Sequence, residues 1–316
     1  MRVLVTGGAG FIGSNLVDRL LAEDCDVDVV DDLSSGSLPN LADARAQRHR
    51  RCTFHRLDVS SGGVDELMAH RKPEIVYHLA AQKSVTASVE DPGYDALVNI
   101  VGSLHVLQGA LAAGARKVIF AGSGGTLYGV PKTIPTPESH PQHPVSPYGV
   151  SKKAVSDYLH YYREEHNLSF TVLALANVYG PRQDPHGEAG VVAIFSAKLL
   201  DGVAPAIYGD GEQTRDYVFV DDAVDAFVRA TDRADGKLLN IGTGVETSVL
   251  ELFDVVAAAT GYEGVASMQP ARGGELRRSA LDATLAGTQL GWRPWTPLED
   301  GVSRTVEWFR AQAQGR

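Results

Sequence analysis

Apolar positions follow two rhythms along the first half of the chain. Near-continuous runs such as Val3-Leu4-Val5, Val27-Asp28-Val29-Val30 and Ile75-Val76-Tyr77-His78-Leu79 lack polar alternation, as strands covered on both faces do. Between them, stretches such as Asn15-Leu16-Val17-Asp18-Arg19-Leu20-Leu21 space their apolar residues for one buried helical face. The pattern predicts strands over 2–6, 26–31, 52–57, 74–79, 116–121 and 169–175, and helices over 12–23, 94–113 and 149–166. Such alternation implies an α/β protein, a Rossmann-type doubly wound parallel sheet with helices on both faces. Residues 32–51 read as a loop with a polar helical piece, its Arg and His side chains solvated. Beyond 175 the alternation breaks down.

Composition narrows the class. Across 316 residues, 44% hydrophobic and 22% charged content is that of a soluble globule. A net charge of −10 gives nucleic acid or an anionic membrane nothing to attract, so neither is an expected partner. Cys25 and Cys52 have no paired spacing for metal or redox work, so no metal site is expected. The chain begins on a core strand without a charged-then-apolar leader, and no apolar run approaches membrane-spanning length. A cytoplasmic protein is the expectation.

Candidate chemistry starts at the first strand–helix junction, Thr6-Gly7-Gly8-Ala9-Gly10-Phe11-Ile12-Gly13. Gly7, Gly10 and Gly13 lie three apart, and Gly8, Gly10 and Gly13 also satisfy G-x-G-x-x-G. One glycine makes the tight turn, one admits a pyrophosphate to the backbone, and one lets helix and strand pack closely. The helix N-terminus then offers free N–H groups and a positive dipole end to phosphate. The second strand ends in Asp31 and Asp32, at the distance where a ribose 2′-OH is held. The run Asp31-Asp32-Leu33-Ser34-Ser35-Gly36 has no Arg to meet a 2′-phosphate, which favours NAD over NADP. After the fourth strand, the small residues of Leu79-Ala80-Ala81-Gln82 either let the backbone pass close to a cofactor or fill a tight helix–sheet contact. His78 reads as a satisfied core histidine. Asp58 touches an adenine edge or merely starts a turn. Asn99, inside a helix, is expected to hydrogen-bond a loop backbone.

The fifth strand runs into Gly122-Ser123-Gly124-Gly125-Thr126-Leu127-Tyr128-Gly129, and a proline-rich loop, 130–147, leads to Tyr148-Gly149-Val150-Ser151-Lys152. Tyr148 and Lys152, four apart at a helix start, share a face. A cation beside a phenol favours the phenolate, so the tyrosine becomes a base nearer neutral pH. Tyr and Lys on a solvated helix are common; the upstream glycine turn and the hydroxyls at the strand end give this pair its meaning.

These motifs, with NVYGPRQDPHG at 177–187, YGDGEQTRDYVFVDD at 208–222, NIGTG at 240–244 and Arg272-Gly273-Gly274-Glu275, resemble the extended short-chain dehydrogenase/reductases over essentially the whole length. Within that family the chain is most similar to the nucleotide-sugar epimerases. The resemblance implies an NAD-binding Rossmann domain over 1–175, with some later segments returning to it. Residues 176–316 then form mainly a smaller α/β nucleotide-sugar-binding cap. It implies NAD contacts from Gly7, Gly10, Phe11, Ile12, Gly13, Asp31, Asp32, Leu33, Ser35, Gly36, Asp58, Val59, Leu79, Ala80, Ala81, Gln82, Asn99, Tyr148 and Lys152. It implies substrate contacts from Lys83, Ser123, Thr126, Tyr148, Asn177, Val191, Tyr208, Gln213, Arg215, Arg272 and Glu275, with catalysis by Tyr148, Lys152 and Ser123 or Thr126. The implied reaction is NAD-dependent 4-epimerisation of a UDP-hexose, UDP-glucose or UDP-galactose, through a transient 4-keto sugar. It also implies a homodimer built on helices 94–113 and 149–166, for which Tyr158, Leu159, Tyr161 and Tyr162 are either surface or covered within the monomer.

Several positions refine this reading. Arg215 and Arg272 carry guanidinium forks that match a diphosphate, or they are surface ion-pair residues. Asp210-Gly211 is a turn signal. Asp221-Asp222 is expected to cap a helix over 222–232, and Trp292 and Trp295 to pack the C-terminal helix. Related 4,6-dehydratases carry an Asp-Glu pair where this chain has Gly125 and Thr126, and decarboxylating relatives a Glu in the same region; both are absent. Counting from the Tyr-Gly tyrosine, the usual catalytic hydroxyl falls at Gly124; counting from Tyr148 it falls at Ser123. Ser123 is placed first and Thr126 second. The alternatives are 4-epimerisation of UDP-N-acetylglucosamine, with Ser279 leaving the pocket wide, or of UDP-glucuronate, with Arg182 as the extra cation. A catalytically inactive NAD-binding regulator is the third.

Overall fold

The buried runs form strands whose two faces enter two different cores. In the computed structural model, which describes residues 1–46, 52–186, 190–271, 273 and 276–314, Val3, Val5, Val27, Val29, Ile75, Tyr77 and Ile119 belong to one cluster. Leu4, Val30, Val76, Val118 and Phe120 belong to the other. This is the two-residue period of a strand covered on both sides. The strands are β1 (Arg2–Thr6), β2 (Asp26–Asp31), β3 (Cys52–Arg56), β4 (Ile75–His78), β5 (Lys117–Ser123), β6 (Ser169–Leu175) and β7 (Lys237–Ile241). They lie parallel in the order β7-β6-β5-β4-β1-β2-β3. The chain therefore reverses direction across the sheet between β1 and β4, where doubly wound folds open a crevice at the strand ends.

One face is covered by Leu16, Val17, Leu20 and Leu21 of the helix Phe11–Ala22 and by Val224 and Phe227 of the helix Val220–Arg229. The other is covered by Val64 and Met68 of Val64–Arg71, Val106, Leu107 and Ala110 of Gly102–Ala113, and Val155, Leu159 and Tyr162 of Pro147–His166. The helical stretch Pro92–Ala113 is not uniform: a π-turn, Leu97–Val101, interrupts it. Contrary to expectation, this stretch is long and apolar enough to cross a membrane, with a mean hydropathy of 1.5 in its most apolar window. Its inner residues pack the core just described, while Tyr94, Leu97 and Val101 form a second, exposed apolar row.

After β6 the chain makes short pairs before β7 rejoins the main sheet. Asn177–Tyr179 lies parallel to Tyr217–Phe219, Ala206–Tyr208 parallel to Ser267–Gln269, and Thr214–Arg215 antiparallel to Thr247–Ser248. Asp222 does not cap a helix. The helix is Val220–Arg229, and the Asp222 carboxylate accepts bonds from the Trp295 and Thr296 amides and the Thr296 hydroxyl, while Asp221 pairs with Arg304. A distant loop with unsatisfied donors outcompetes the local cap. Trp292 is buried in the same core cluster as Val302 and Val306 of the C-terminal helix Leu298–Gln314, with its indole N–H donating to the Asp222 carbonyl; Trp295 is exposed. Leu159 and Tyr162 are buried, so only Tyr158 and Tyr161 of the four proposed interface residues are surface. Cys25 and Cys52 are both free thiols.

Candidate active site

Gly7 opens the site. Its φ is +68°, and a Cβ there would lie 2.7 Å from the Ala80 nitrogen, so the turn after β1 and the end of β4 touch backbone to backbone. A left-handed φ and that proximity both require glycine. The Gly10 amide closes onto the Gly7 carbonyl, and a Cβ at Gly13 would strike the same oxygen. The Asp31 carboxylate accepts from the Ala9 amide at 3.0 Å and the Leu33 amide at 2.8 Å. Burial pushes its pKa up, against the pull of those bonds. A Cβ on Gly36 would fall 2.7 Å from an Asp31 oxygen, so Gly36 backs the carboxylate rather than facing open space.

The glycine turn and Asp31 line a cleft of ≈ 1230 Å³, measured out to open solvent. Its wall contains Gly7, Gly10, Phe11, Ile12, Gly13, Asp31, Asp32, Ser35, Asp58, Val59, Leu79, Ala80, Ala81, Lys83, Tyr148 and Lys152. Leu33, Gly36, Gln82 and Asn99 are not on it. Asp58 starts a turn, accepting from the Ser60 amide and hydroxyl, and also lines the cleft. Asn99 donates to the Gln82 carbonyl at 3.0 Å, the loop-backbone bond expected of it. Gln183 and Asp184 also line the cleft. They sit in the 177–187 motif, but nothing in its local pattern says that the segment folds back over the first glycine turn.

Ser146 caps the helix Pro147–His166 by accepting from the Gly149 amide, and Pro147 occupies its first turn. This fixes Tyr148 and Lys152 on the face toward the end of β5. The Lys152 ammonium donates to the Ala121 carbonyl at 3.0 Å and lies 4.7 Å from the Phe120 ring centre and 5.7 Å from that of Tyr148. Burial pulls Lys152 down to about 8, opposed by the charge of Asp95. Burial pushes the Tyr148 phenol up to about 12, opposed by a hydrogen bond with the Ser123 side chain. Of the two candidate hydroxyls, Ser123 is the one that lowers the Tyr148 pKa, while Thr126 reaches back to the Ser123 carbonyl at 3.5 Å; neither lines the cleft. His78 is a satisfied core histidine, bonded to Thr6 and Ser103 and held neutral by burial, its pKa pulled down to about 3. Gly124 has no room for a hydroxyl: a Cβ there would strike Leu281 Cδ1 and lie 3.0 Å from Cδ2 and 3.1 Å from the Ala174 carbonyl.

A second cavity is lined by Tyr208, Gly209, Asp210, Gln213, Ala271, Leu276 and Arg277. Gln213 donates to the Tyr208 carbonyl, and Gly211, at φ +76°, makes the expected turn. Arg277, which sequence reasoning passed over, forks onto Asp210 at 2.6 and 2.9 Å; nothing in its local sequence marks it. Arg215 donates to the carbonyls of Thr214 and Leu276. Asn177 is exposed at the start of its short strand, and Val191 begins the helix Val191–Leu200. Arg182 pairs with Asp18 at 2.7 Å, a structural tie, and Ser279 is half-buried. Arg272 and Glu275 lie outside the described residues.

Comparison with known proteins agrees with this geometry. The profile of the NAD dependent epimerase/dehydratase family matches residues 3–242. The chain is 52% identical to the UDP-glucose 4-epimerase of Mycolicibacterium smegmatis over 99% of its own length and 100% of that protein's. It is similar to the crystal structure of UDP-glucose 4-epimerase from Thermotoga maritima with UDP-glucose, at a TM-score of 0.94 and 46% identity, covering 99% of this chain and 100% of that one. It is also similar to the Thermus thermophilus UDP-glucose 4-epimerase in complex with NAD, at a TM-score of 0.90 and 41% identity, covering 98% and 99%.

Proposed function

The chain belongs to the NAD dependent epimerase/dehydratase family, and from that premise we propose that it is an NAD-dependent 4-epimerase acting on a UDP-hexose, interconverting UDP-glucose and UDP-galactose. The observation that carries the reading is the Tyr148–Lys152 pair in the cleft that also holds the glycine turn and Asp31, with Ser123 at the end of β5 acting on the Tyr148 phenol. The cleft fits NAD. The cradle at Gly7 is one that a Cβ would fill, the helix Phe11–Ala22 points its N-terminus into it, and the Asp31 oxygens keep lone pairs beyond those used by Ala9 and Leu33. NAD bound there supplies a hydride acceptor and donor for the sugar carbon.

The protein's own residues do the rest. Tyr148 takes the proton of the sugar 4-hydroxyl and returns it after the ring has turned over. A phenol at about 12 is a poor base at neutral pH, so cationic charge beside it is required; the Lys152 ammonium supplies part of it. Ser123, bonded to Tyr148, shares the proton between phenol and sugar. Gly125 and Thr126 offer no carboxylate to move protons at the neighbouring carbons, which supports return of the hydride to the same carbon and inversion there. In this reading the cavity at Tyr208 and Gln213 holds the nucleotide, and Arg215, Arg272 and Glu275 grip the diphosphate and ribose. The 4-keto sugar is thereby retained while it rotates. Residues 1–175, with β7 returning to them, then form the NAD-binding domain, and 176–316 mainly the substrate domain.

The exposed apolar row Tyr94, Leu97, Val101, Val150, Tyr158 and Tyr161 runs along the helices Pro92–Ala113 and Pro147–His166 and supports a homodimer across that face. The two free thiols support a reducing, cytoplasmic setting. The test is turnover of UDP-glucose, UDP-N-acetylglucosamine and UDP-glucuronate by the purified protein without added reductant, with products resolved by chromatography. UDP-galactose accumulating to a fixed ratio supports the reading. Faster turnover of one of the other two sugars reassigns the substrate, and no change in any of them removes epimerisation of these sugars.

A further inference from the structure

Behind the Tyr148–Lys152 pair lies a carboxylate that the mechanism has not used. Asp95 is fully buried, and three donors from three elements converge on it. The Ser151 hydroxyl bonds one oxygen at 2.6 Å; the Asn99 and Gln82 side-chain amides bond the other at 2.8 and 3.0 Å. Ser151 is the neighbour of Lys152 on its helix, Asn99 sits in the π-turn, and Gln82 closes the loop after β4 that walls the cleft. Gln82 is itself pinned, its carbonyl to Asn99 and its amide to the backbone of Ser84. Two of the partners are amide N–H groups sharing one oxygen, the arrangement of an ionised carboxylate.

Those three donors are all neutral. The carboxylate's charge is left to be balanced by a cation nearby, because an isolated buried charge is costly. Among the described residues, the titratable groups facing Lys152 are Tyr148 on its own helix, His78 at the end of β4, and Asp95. His78 is neutral, its two ring nitrogens bonded to Thr6 and Ser103. The ammonium also meets the Ala121 carbonyl and the Phe120 ring, which carry no full charge.

We propose that Asp95 is a positioning residue for the Tyr148–Lys152 pair: through Ser151 its carboxylate fixes the turn that carries Lys152, and its charge keeps the Lys152 ammonium protonated in an apolar wall. The proposal rests on the reading of Tyr148 and Lys152 as the reacting pair, but its test does not depend on turnover. Protein labelled with 13C at the lysine ε-carbon is titrated by NMR, with the Lys152 signal identified by its loss in Lys152→Met. In Asp95→Asn the Lys152 midpoint falls by about one unit, the lower end of what an adjacent opposite charge does. An unmoved midpoint overturns the proposal, whether or not any UDP-sugar is turned over. If Asp95→Asn does not fold, the wild-type midpoint decides: a value near 8 agrees with a counter-charge, and about 5–6, that of a buried lysine without a partner, overturns it.

Ser151→Ala separates position from charge, because it keeps the carboxylate and frees one of its oxygens. The Lys152 midpoint stays in place, while kcat falls by about tenfold with KM and NAD content unchanged, a fraction of what a positioned acid–base pair contributes. An unchanged kcat in a variant of a turnover-active protein overturns the positioning role. If the wild type turns over none of the three sugars, the functional reading fails and the NMR midpoints alone judge Asp95.

Discussion

Gly124 stands where the hydroxyl of the reaction was one of two expected positions, and the structure gives a reason that can be tested by a double-mutant cycle. The perturbation is Gly124→Ala. Gly124 lacks a left-handed φ, so the backbone accepts alanine, and the cost is contact alone. The new methyl would strike Leu281 Cδ1 and stand 3.0 Å from Cδ2 and 3.1 Å from the Ala174 carbonyl. Leu281 is 2% exposed, clustered with Leu127, Tyr128 and Ala174, and its amide is bonded to Asp216, so it has nowhere to retreat. Over-packing of this kind costs about 1–3 kcal/mol, more than the fraction of a kcal/mol alanine gains at the start of a one-turn helix. With Leu281→Ala already in place the clashing atoms are gone, and Gly124→Ala is then close to neutral. The assay is urea unfolding of wild type, both single variants and the double variant, from which a coupling of about 1–3 kcal/mol is expected. If Gly124→Ala costs the same in both backgrounds, Leu281 is not what excludes a side chain there. By the same reasoning, Ser123→Ala/Gly124→Ser does not recover the activity lost in Ser123→Ala.

Three further outcomes follow from named contacts. Gly7→Ala adds a left-handed alanine, at about 1–2 kcal/mol, and a methyl 2.7 Å from the Ala80 nitrogen. It is expected to purify with little bound NAD by absorbance, and full retention would contradict the cradle. His78 is held near 3 by burial against an unfolded value of about 6.5, so below pH 6.5 the unfolded chain binds the extra proton. Stability is full above that value and falls toward pH 3, with a limiting slope of about 1.4 kcal/mol per unit. Urea unfolding at pH 7 and pH 5 should show a smaller loss in His78→Gln than in wild type, and equal losses would sink the assignment. Tyr161→Glu puts a charge into the exposed apolar row at a residue 51% exposed; sedimentation should show the proposed dimer in wild type giving way to monomer in the variant, and a dimer in both would place the interface elsewhere.

How far the sequence reaches depends on whether a residue's role is local. β1, β2 and β6 were legible to the residue because strands buried on both faces read as near-continuous apolar runs, interrupted only by Asp28 within β2 and Thr171 within β6. The glycine turn and the Tyr148–Lys152 spacing were legible because each is complete within a few residues. Asn99 was readable in kind, since an inward asparagine in a helix needs a partner, although the π-turn around it leaves no mark in the apolar spacing. Asp222 was misread because an acidic pair at a helix start resembles a cap, and the donors that claim it arrive from the loop at 295–296. Asp95 was passed over for the converse reason. A single aspartate near the start of an apolar helix reads as solvated, and only the fold brings Gln82 and Ser151 to it. The reason for glycine at 124 lay equally out of reach, since Leu281 is supplied by the far end of the chain.

Tyr148, the proposed base of a redox-neutral epimerisation, is the residue on which the reaction turns. The most direct measurement is kcat for UDP-glucose in the wild type and in Tyr148→Phe, both with bound NAD verified. Removing the proton-transferring group should lower kcat by about 10²–10⁴-fold with NAD content unchanged. Turnover within twofold of wild type in a holoprotein lacking the phenol would contradict the account.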